Sequence, residues 1–218
     1  GSASVVLTGG GLGISVLDAV RRSPARDAVD WSRVDVWWGD ERFVAADSDD
    51  RNDVQARRAL LDSLPLDPAR VHPMPALGAP DGDDVDAAAQ RYAEELRRAG
   101  DGEVPAFDVL LLGMGPEGHV ASIFPESPAA HDVRTAFGVQ GCPKPPPMRI
   151  SLGFRSIQQA REVWVVAAGQ EKADALALAL SGADQVQLPA AGARGRSRTL
   201  WLLDEAAASA LPAAISST

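Results

Sequence analysis

The residue best suited to chemistry is His119, one of three histidines in a chain of 218 residues. It lies in the stretch LLLGMGPEGHVASIFP, residues 110–125, at the end of an apolar run. Three glycines precede it: Gly113, Gly115 and Gly118. They let the backbone turn sharply and are expected to place His119 at or near a helix N-terminus. Because an imidazole titrates near neutrality and Glu117 or Asp40 could orient it, we interpret His119 as a general base rather than a helix cap or a packed loop residue.

A second group of residues is suited to binding an anion, and its members follow different apolar runs. Three glycines end the first run: Gly9, Gly10 and Gly11. They allow close approach of the backbone, and the helix predicted after them offers free N–H groups, although a tight turn without a ligand would need the same residues. Arg42 follows the second run, and Lys172 stands in the first turn of a later helix, where a bound anion would offset the helix dipole. Each cation alone fits a solvated surface, but together with His119 they predict a phosphate-bearing ligand beside a base.

Other ligand patterns are missing from the sequence. The glycine turn lacks the dinucleotide-binding spacing, because Ile14 stands where the third glycine would be, and no Gly-Lys-Ser/Thr follows. His72, His131 and Cys142 are dispersed without the spacing of zinc ligands. We therefore interpret the two histidines as structural and expect neither a metal nor a cofactor.

Charge and composition limit the partners of the chain. Its 30 acidic and 21 basic residues give a net charge of −9 without a basic stripe, so a nucleic acid is not an expected partner. No apolar run has membrane-spanning length, and the single cysteine, Cys142, cannot form an internal disulfide. We expect a cytoplasmic protein with one domain over residues 1–218. We expect a monomer or a weak homodimer, and no self-complementary stripe in the sequence distinguishes between the two.

The elements that must position these side chains alternate along the chain. Short apolar runs predict five strands, at residues 4–8, 34–38, 107–113, 162–168 and 199–203. Helical spacing lies between them, in Val16 with Val20, Leu60 with Leu64, Tyr92 with Leu96, and Ala173 with Leu176 and Leu180. Nearly all-apolar strands are typical of a mostly parallel sheet covered by helices on both faces, and hence of a three-layer α/β/α, Rossmann-like fold. In such sheets ligands bind beyond the carboxyl ends of the strands, where the candidate residues lie.

Two local features refine this organisation. Asn52 and Asp53 are expected to cap a helix that begins at Val54. The proline-rich residues 141–149 are expected to run extended over the surface before a strand begins near Arg149.

Several stretches of the chain, taken in order, resemble the 6-phosphogluconolactonase family, within a wider group that includes glucosamine-6-phosphate deaminase. They are LTGGG, VWWGDERFV followed by RND, FDVLLLGMGPEGHVASIFP, PKPPPMRISL and VVAAGQEKADAL, and they cover nearly the whole chain. The resemblance implies a three-layer α/β/α fold. It also implies hydrolysis of 6-phospho-D-glucono-1,5-lactone to 6-phosphogluconate, the second step of the oxidative pentose phosphate pathway, with a small sugar phosphate as the ligand.

Lactone hydrolysis suggests a role for each candidate. His119 would deprotonate water with Glu117 beside it, and backbone amides of the loop 113–119 would stabilise the oxyanion. The phosphate would be held by Gly9, Gly10, Gly11, Arg42, Arg149 and Lys172. Asp40 would bind sugar hydroxyls or orient a cation.

Two other functions of the same fold stay open: a sugar-phosphate deaminase or isomerase, and a non-catalytic sugar-phosphate sensor. The deaminases typically continue after the motif histidine into Ile-Ala-Phe-Asn-Glu-Pro, where the glutamate assists catalysis. This chain has VASIFP instead, with Phe124 at the place of the glutamate. That difference disfavours deamination, and no stretch resembles the helix-turn-helix of sensor proteins that bind DNA.

The chain departs from the family pattern in three places. Leu12 and Gly13 stand where many relatives have a hydroxyl residue and a proline, so backbone N–H groups are expected to replace hydroxyl contacts to the phosphate. Glu117 stands where aspartate is common, which lengthens that arm. The family usually has a further strand and helix before the first glycine turn, which we expect to be missing here.

Overall fold

The computed structural model describes residues 1–212 and has a five-stranded sheet at its centre. In spatial order its strands are β2 (Val34–Trp38), β1 (Ala3–Leu7), β4 (Val109–Gly113), β7 (Glu162–Ala167) and β8 (Arg198–Leu203). Every neighbouring pair is parallel. The predicted mostly parallel sheet and its five strands are confirmed, because polar turns bound each apolar run.

Helices cover both faces of this sheet. They are α1 (Gly10–Arg22), α2 (Asn52–Ala59), α3 (Val85–Ala99), the short α4 (Phe154–Ile157) and α5 (Ala173–Leu180). Because side chains alternate along a strand, Trp37 joins a buried cluster with Tyr92 of α3, whereas Trp38 joins a second cluster with Leu17 of α1. The two clusters lie on opposite faces and give the predicted three layers. Within residues 1–212, none of the helices is long and apolar enough to cross a membrane.

A second, antiparallel sheet lies beside the first. It consists of β3 (Asp40–Arg42), β6 (Arg149–Leu152) and β5 (Ala136–Val139), with β6 in the middle. The strand near Arg149 is confirmed. Neither the strand at residues 40–42 nor β5 was predicted from the sequence. Both strands are too short to show an alternating pattern, so only their pairing with β6 defines them.

Two predicted helix limits are also wrong. The spacing of Leu60 and Leu64 predicted a helix through both residues, but α2 ends at Ala59 and Leu60 leads into a short 3₁₀ turn. At its other end α2 begins at Asn52 rather than Val54, and neither Asn52 nor its neighbour supplies a side-chain cap. The other three helical patterns fall within α1, α3 and α5 and are confirmed.

Candidate active site

A cavity of about 360 Å³ opens at the carboxyl ends of the central strands. Ten of the predicted site residues line it: Gly9, Gly10, Gly11, Asp40, Arg42, Gly113, Gly115, His119, Arg149 and Lys172. The remaining two, Glu117 and Gly118, do not line the cavity; Glu117 contacts the His119 ring. The expectation that ligand-binding residues gather at one edge of the sheet therefore holds for the positions of these side chains.

His119 is held by a carboxylate on one side and an aromatic ring on the other. Its Nδ1 lies 3.1 Å from Glu117 Oε1, and its ring stacks on Phe124 with a centroid separation of 4.4 Å. The side chain is 18% exposed, and this burial lowers the pKa of His119 below its usual value. Glu117 opposes that shift without reversing it. This shift favours the neutral imidazole, which can accept a proton.

The loop before His119 is a tight turn, so the predicted helix N-terminus at this residue is wrong. The Gly115 N–H donates to the His119 carbonyl at 3.0 Å, and the Gly118 N–H donates to the Gly115 carbonyl at 2.9 Å. Gly118 has a φ of 87°, in the left-handed region that favours glycine. A Cβ at Gly115 would overlap the His119 ring, so the glycine is what allows the imidazole to lie against the loop.

Lys144 is a site residue that the sequence analysis missed. Its Nζ lies 2.9 Å from Glu117 Oε1 and donates to Glu117 Oε2 at 3.2 Å, and it lies 3.5 Å from His119 Nδ1. Burial acts to raise the pKa of Glu117, but hydrogen bonds from its own N–H and from Lys144, together with the charges of His119 and Lys144, hold the pKa below its usual value. The available signal was a single cation inside the otherwise uncharged run GCPKPPPM.

The far wall of the cavity carries cations and open backbone. A Cβ at Gly10 or Gly11 would meet no atom within 4 Å, so both backbones face open space. Arg42 donates from Nη1 to Asn52 Oδ1 at 2.6 Å, and its buried Nε has no partner among residues 1–212. Lys172 precedes α5, and burial lowers its pKa below the usual value although Glu171 opposes this.

Asp40 and Arg149 connect the two walls through buried hydrogen bonds. Asp40 Oδ2 accepts from Ser122 Oγ at 2.7 Å and lies 3.8 Å from Arg149 Nη1. Arg149 also donates from Nη2 to the Lys144 carbonyl at 3.1 Å. Asn52, which the sequence analysis treated only as a cap, donates from Nδ2 to the Asp40 carbonyl at 2.8 Å. Its signal was the RND stretch, where capping was a sufficient explanation.

These features define a class of protein: an α/β/α fold with a neutral histidine and several cations around one cavity at the carboxyl ends of its strands. Residues 1–201 match the family described as glucosamine-6-phosphate isomerases/6-phosphogluconolactonase, and the chain belongs to this family. The resemblance noted from the sequence motifs is thereby confirmed.

Several relatives are similar over nearly the whole chain. A 6-phosphogluconolactonase of Streptomyces coelicolor is 62% identical over 217 residues, covering 97% of this chain and 83% of the relative. The 6-phosphogluconolactonase of Mycobacterium tuberculosis is 51% identical, covering 97% of this chain and 86% of the relative.

Solved structures agree with this family. The crystal structure of 6-phosphogluconolactonase from Thermotoga maritima is 28% identical with a TM-score of 0.80, over 93% of this chain and 85% of that one. A monomeric glucosamine-6-phosphate deaminase is 19% identical with a TM-score of 0.77, over 96% of this chain and 88% of that one, and this likeness shows the shared fold alone.

Proposed function

We propose that this chain hydrolyses 6-phospho-D-glucono-1,5-lactone to 6-phosphogluconate. The relatives named 6-phosphogluconolactonase, at 62% and 51% identity, support this activity. The observation that carries the proposal is a neutral imidazole, oriented by Glu117, that lines the same cavity as two cations, Arg42 and Lys172. That combination suits a substrate with an ester at one end and a phosphate at the other.

His119 acts as the general base in this reaction. With the Nδ1 hydrogen directed at Glu117, Nε2 is the nitrogen left to take a proton from water as the water oxygen bonds to C1 of the lactone. The bond between C1 and the ring oxygen then breaks, and the imidazolium returns its proton to the leaving alkoxide. Backbone amides of the loop 113–119 stabilise the oxyanion at C1.

Binding of the phosphate group orients the lactone in the cavity. Arg42 and Lys172 bind it together with the open amides of Gly10 and Gly11, next to Gly9. The departure at Leu12 and Gly13 is compatible with this assignment, because backbone N–H groups need no hydroxyl side chain. Holding the distal phosphate places the carbonyl against the base and lowers the entropic part of the barrier.

Asp40 and Arg149 shape the middle of the cavity. Arg149 donates from Nη2 to the carbonyls of Lys144 and Pro145, and its Nη1 lies 3.8 Å from Asp40 Oδ2. We assign Arg149 a contact with the phosphate in addition to this packing role. Asp40 orients the Arg149 cation.

Deamination is the alternative with the nearest fold, and one contact argues against it. Phe124, at the place where deaminases carry a catalytic glutamate, stacks on His119 and offers no carboxylate. A non-catalytic sensor is the other alternative. Binding of 6-phosphogluconate would fit all three functions, so only product formation separates them.

We also propose a cytoplasmic location and a monomer or weak homodimer for this chain. The first rests on the single cysteine, Cys142, which suits a reducing compartment. Light scattering over a concentration series tests the second, because a weak dimer dissociates on dilution.

The deciding experiment is hydrolysis of freshly generated 6-phosphogluconolactone, with the spontaneous rate subtracted. We expect clear acceleration by the wild type and a loss of about 10²- to 10⁴-fold in kcat for His119→Ala. His131→Ala is the matched control, since His131 is exposed and lies outside the cavity. Acceleration that survives His119→Ala rejects the base assignment, whereas ammonia release from glucosamine-6-phosphate without lactone hydrolysis rejects the lactonase proposal.

A further inference from the structure

The Glu117 carboxylate is shared between two partners, His119 and Lys144. Its Oε1 lies 3.1 Å from His119 Nδ1 and 2.9 Å from Lys144 Nζ. The same Nζ lies 3.5 Å from His119 Nδ1 and 5.9 Å from the centre of the Phe124 ring. One ammonium, one carboxylate and one imidazole therefore form a compact cluster, which we call the 117–119–144 cluster.

The backbone that carries Lys144 is held in place by buried contacts. Arg149, itself 7% exposed, donates to the carbonyls of Lys144 and Pro145 at 3.1 and 3.2 Å. The Cys142 N–H donates to the Pro147 carbonyl at 2.9 Å and closes the segment between them. Lys144 thus reaches Glu117 from a fixed position, although its own side chain is 43% exposed.

The charge on Glu117 has opposite consequences with and without this lysine. A carboxylate beside an imidazole orients the ring, but it also favours the imidazolium, which cannot act as a base. An ammonium bound to the same carboxylate offsets that preference while the orienting hydrogen bond remains.

The other charged groups around the cavity do not replace Lys144. Asp40 adds a smaller pull toward the imidazolium, and its carboxylate is already bound to Ser122. Three more cations line the cavity, Arg42, Arg149 and Lys172, yet within residues 1–212 none of them forms an ion pair or a hydrogen bond with Glu117 or His119.

We propose that Lys144 is a positioning residue that acts through Glu117: its ammonium binds the carboxylate shared with His119 and so keeps the imidazole unprotonated and ready to deprotonate water. This inference deepens the proposed lactonase function and rests on it for its catalytic meaning. The arrangement of charges itself exists whether or not the lactone is the substrate, and it can be tested separately.

The first test is an NMR titration of the histidine side chains in the folded protein without ligand. The chain has three histidines, and His119→Gln identifies the signal of His119. We expect its titration midpoint to rise by about one pH unit in Lys144→Met, because Glu117 then acts on the imidazole alone. We expect the double variant Glu117→Gln/Lys144→Met to return the midpoint to the wild-type value or below it.

Lys172→Met is the matched control, since it removes another cation of the same cavity that does not contact His119 or Glu117 directly. It should shift the His119 midpoint much less than Lys144→Met does. A midpoint in Lys144→Met that stays the same or falls overturns the proposal. The proposal is also overturned if Lys144→Met raises the midpoint as much in a Glu117→Gln background as it does in the wild type, because Lys144 would then act on His119 directly. Lys144→Gln repeats the test with a polar side chain of similar length.

The second test is the pH dependence of kcat/KM for lactone hydrolysis, with the spontaneous rate subtracted at each pH. Lys144→Met should shift the acid limb of the kcat/KM profile to higher pH by the same amount as it shifts the NMR midpoint. At pH values above the shifted limb, the activity of the variant should return to that of the wild type. A uniform loss at every pH would indicate a merely structural role. If the wild type shows no lactone hydrolysis, the proposed function fails, while the NMR result still decides the role of Lys144.

Discussion

The His119 ring lies where a side chain at position 115 would otherwise be. A Cβ at Gly115 would overlap the imidazole and also approach Glu117 Oε2 at 2.5 Å. The loop therefore does more than turn: because position 115 has no side chain, His119 and Glu117 can pack against the backbone. Neither the spacing nor the composition of the motif shows this requirement, because it depends on where the ring folds back.

Gly115→Ala is expected to reduce kcat by at least about 10²-fold with a smaller effect on KM. The added methyl displaces His119, the proposed base, but leaves the proposed phosphate-binding residues in place, and removing a general base costs about 10²- to 10⁴-fold. Steady-state kinetics on the purified variant measure kcat and KM, and circular dichroism checks that the variant is folded. Gly39→Ala is the control, because its Cβ would make only ordinary contacts at 3.7 Å or more. Equal losses in the two variants would contradict the specific role of Gly115.

At the scale of elements, strand β3 holds the start of helix α2. The Glu41 carboxylate accepts from the N–H groups of Asn52 and Asp53 at 2.7 and 2.9 Å, in place of the side-chain caps that the sequence suggested. Burial raises the pKa of Glu41 to about 7, while Arg51, 3.8 Å away, pulls it down. The short strand therefore acts as a support for the helix.

We expect Glu41→Ala to lower the free energy of unfolding by about 3–5 kcal/mol, because it leaves Arg51 and two helix N–H groups buried with fewer partners. Urea denaturation monitored by circular dichroism measures the change. Asp62→Asn, at an exposed acid, should stay within about 0.5 kcal/mol of the wild type. A loss below about 1 kcal/mol for Glu41→Ala would show that the carboxylate is dispensable for α2.

The first residue of α2 also orients a cation of the cavity. Asn52 accepts from Arg42 through Oδ1 and donates to the Asp40 carbonyl through Nδ2, and a Cβ at Gly9 would overlap its amide. The side-chain amide of Asn52 in α2 thus contacts both Gly9, which follows β1, and strand β3. Close packing against Asn52 is one physical reason for a glycine at position 9.

Asn52→Ala is expected to raise KM about tenfold with little change in kcat. Arg42 loses its side-chain acceptor, and a hydrogen bond to a charged group contributes about 1.5–3 kcal/mol, which is sufficient for a tenfold effect. Gln55→Ala on the same helix is the control, since that amide binds an exposed carbonyl away from the cavity. A fall in kcat with an unchanged KM would indicate that Asn52 supports the chemical step rather than phosphate binding.

For the whole molecule, the charge pattern separates the cavity from the rest of the surface. The chain carries a net charge of −9, yet Arg42, Lys144, Arg149 and Lys172 line one cavity. A few close cations dominate the local potential whatever the total charge. An anionic group on the ligand should therefore decide whether binding stabilises the fold.

We expect 6-phosphogluconate at about 100 times its Kd to raise Tm by about 5–10 °C, since such binding adds about 2.7 kcal/mol and one kcal/mol shifts a domain of this size by about 2–4 °C. Gluconate at the same concentration should give a much smaller shift. Differential scanning fluorimetry measures both. Lys172→Met should reduce the shift, and equal stabilisation by gluconate would show that the phosphate is not the recognised group.

Much of the fold could be predicted because short stretches of sequence indicate its central strands and helices. Apolar runs between polar turns marked all five parallel strands, and residues such as Tyr92 and Leu96 marked a helical face. Two of the three strands of the antiparallel sheet could not be predicted, because three polar residues such as 40–42 become a strand only by pairing with β6. The helix proposed through Leu64 failed because spacing alone does not show where a chain turns away from the core.

The candidate site likewise has a part that could be predicted and a part that could not. The family and the edge of the sheet where the candidate side chains gather could be predicted from the residues alone, because apolar runs and glycine turns are local signals. The contacts of Lys144 with Glu117 and of Asn52 with Arg42 are evident only in the folded chain. These contacts join segments 27 and 10 residues apart. A side chain in a proline-rich loop carries no local sign of the carboxylate that it will meet, since that partner is set by how the loop packs across the cavity.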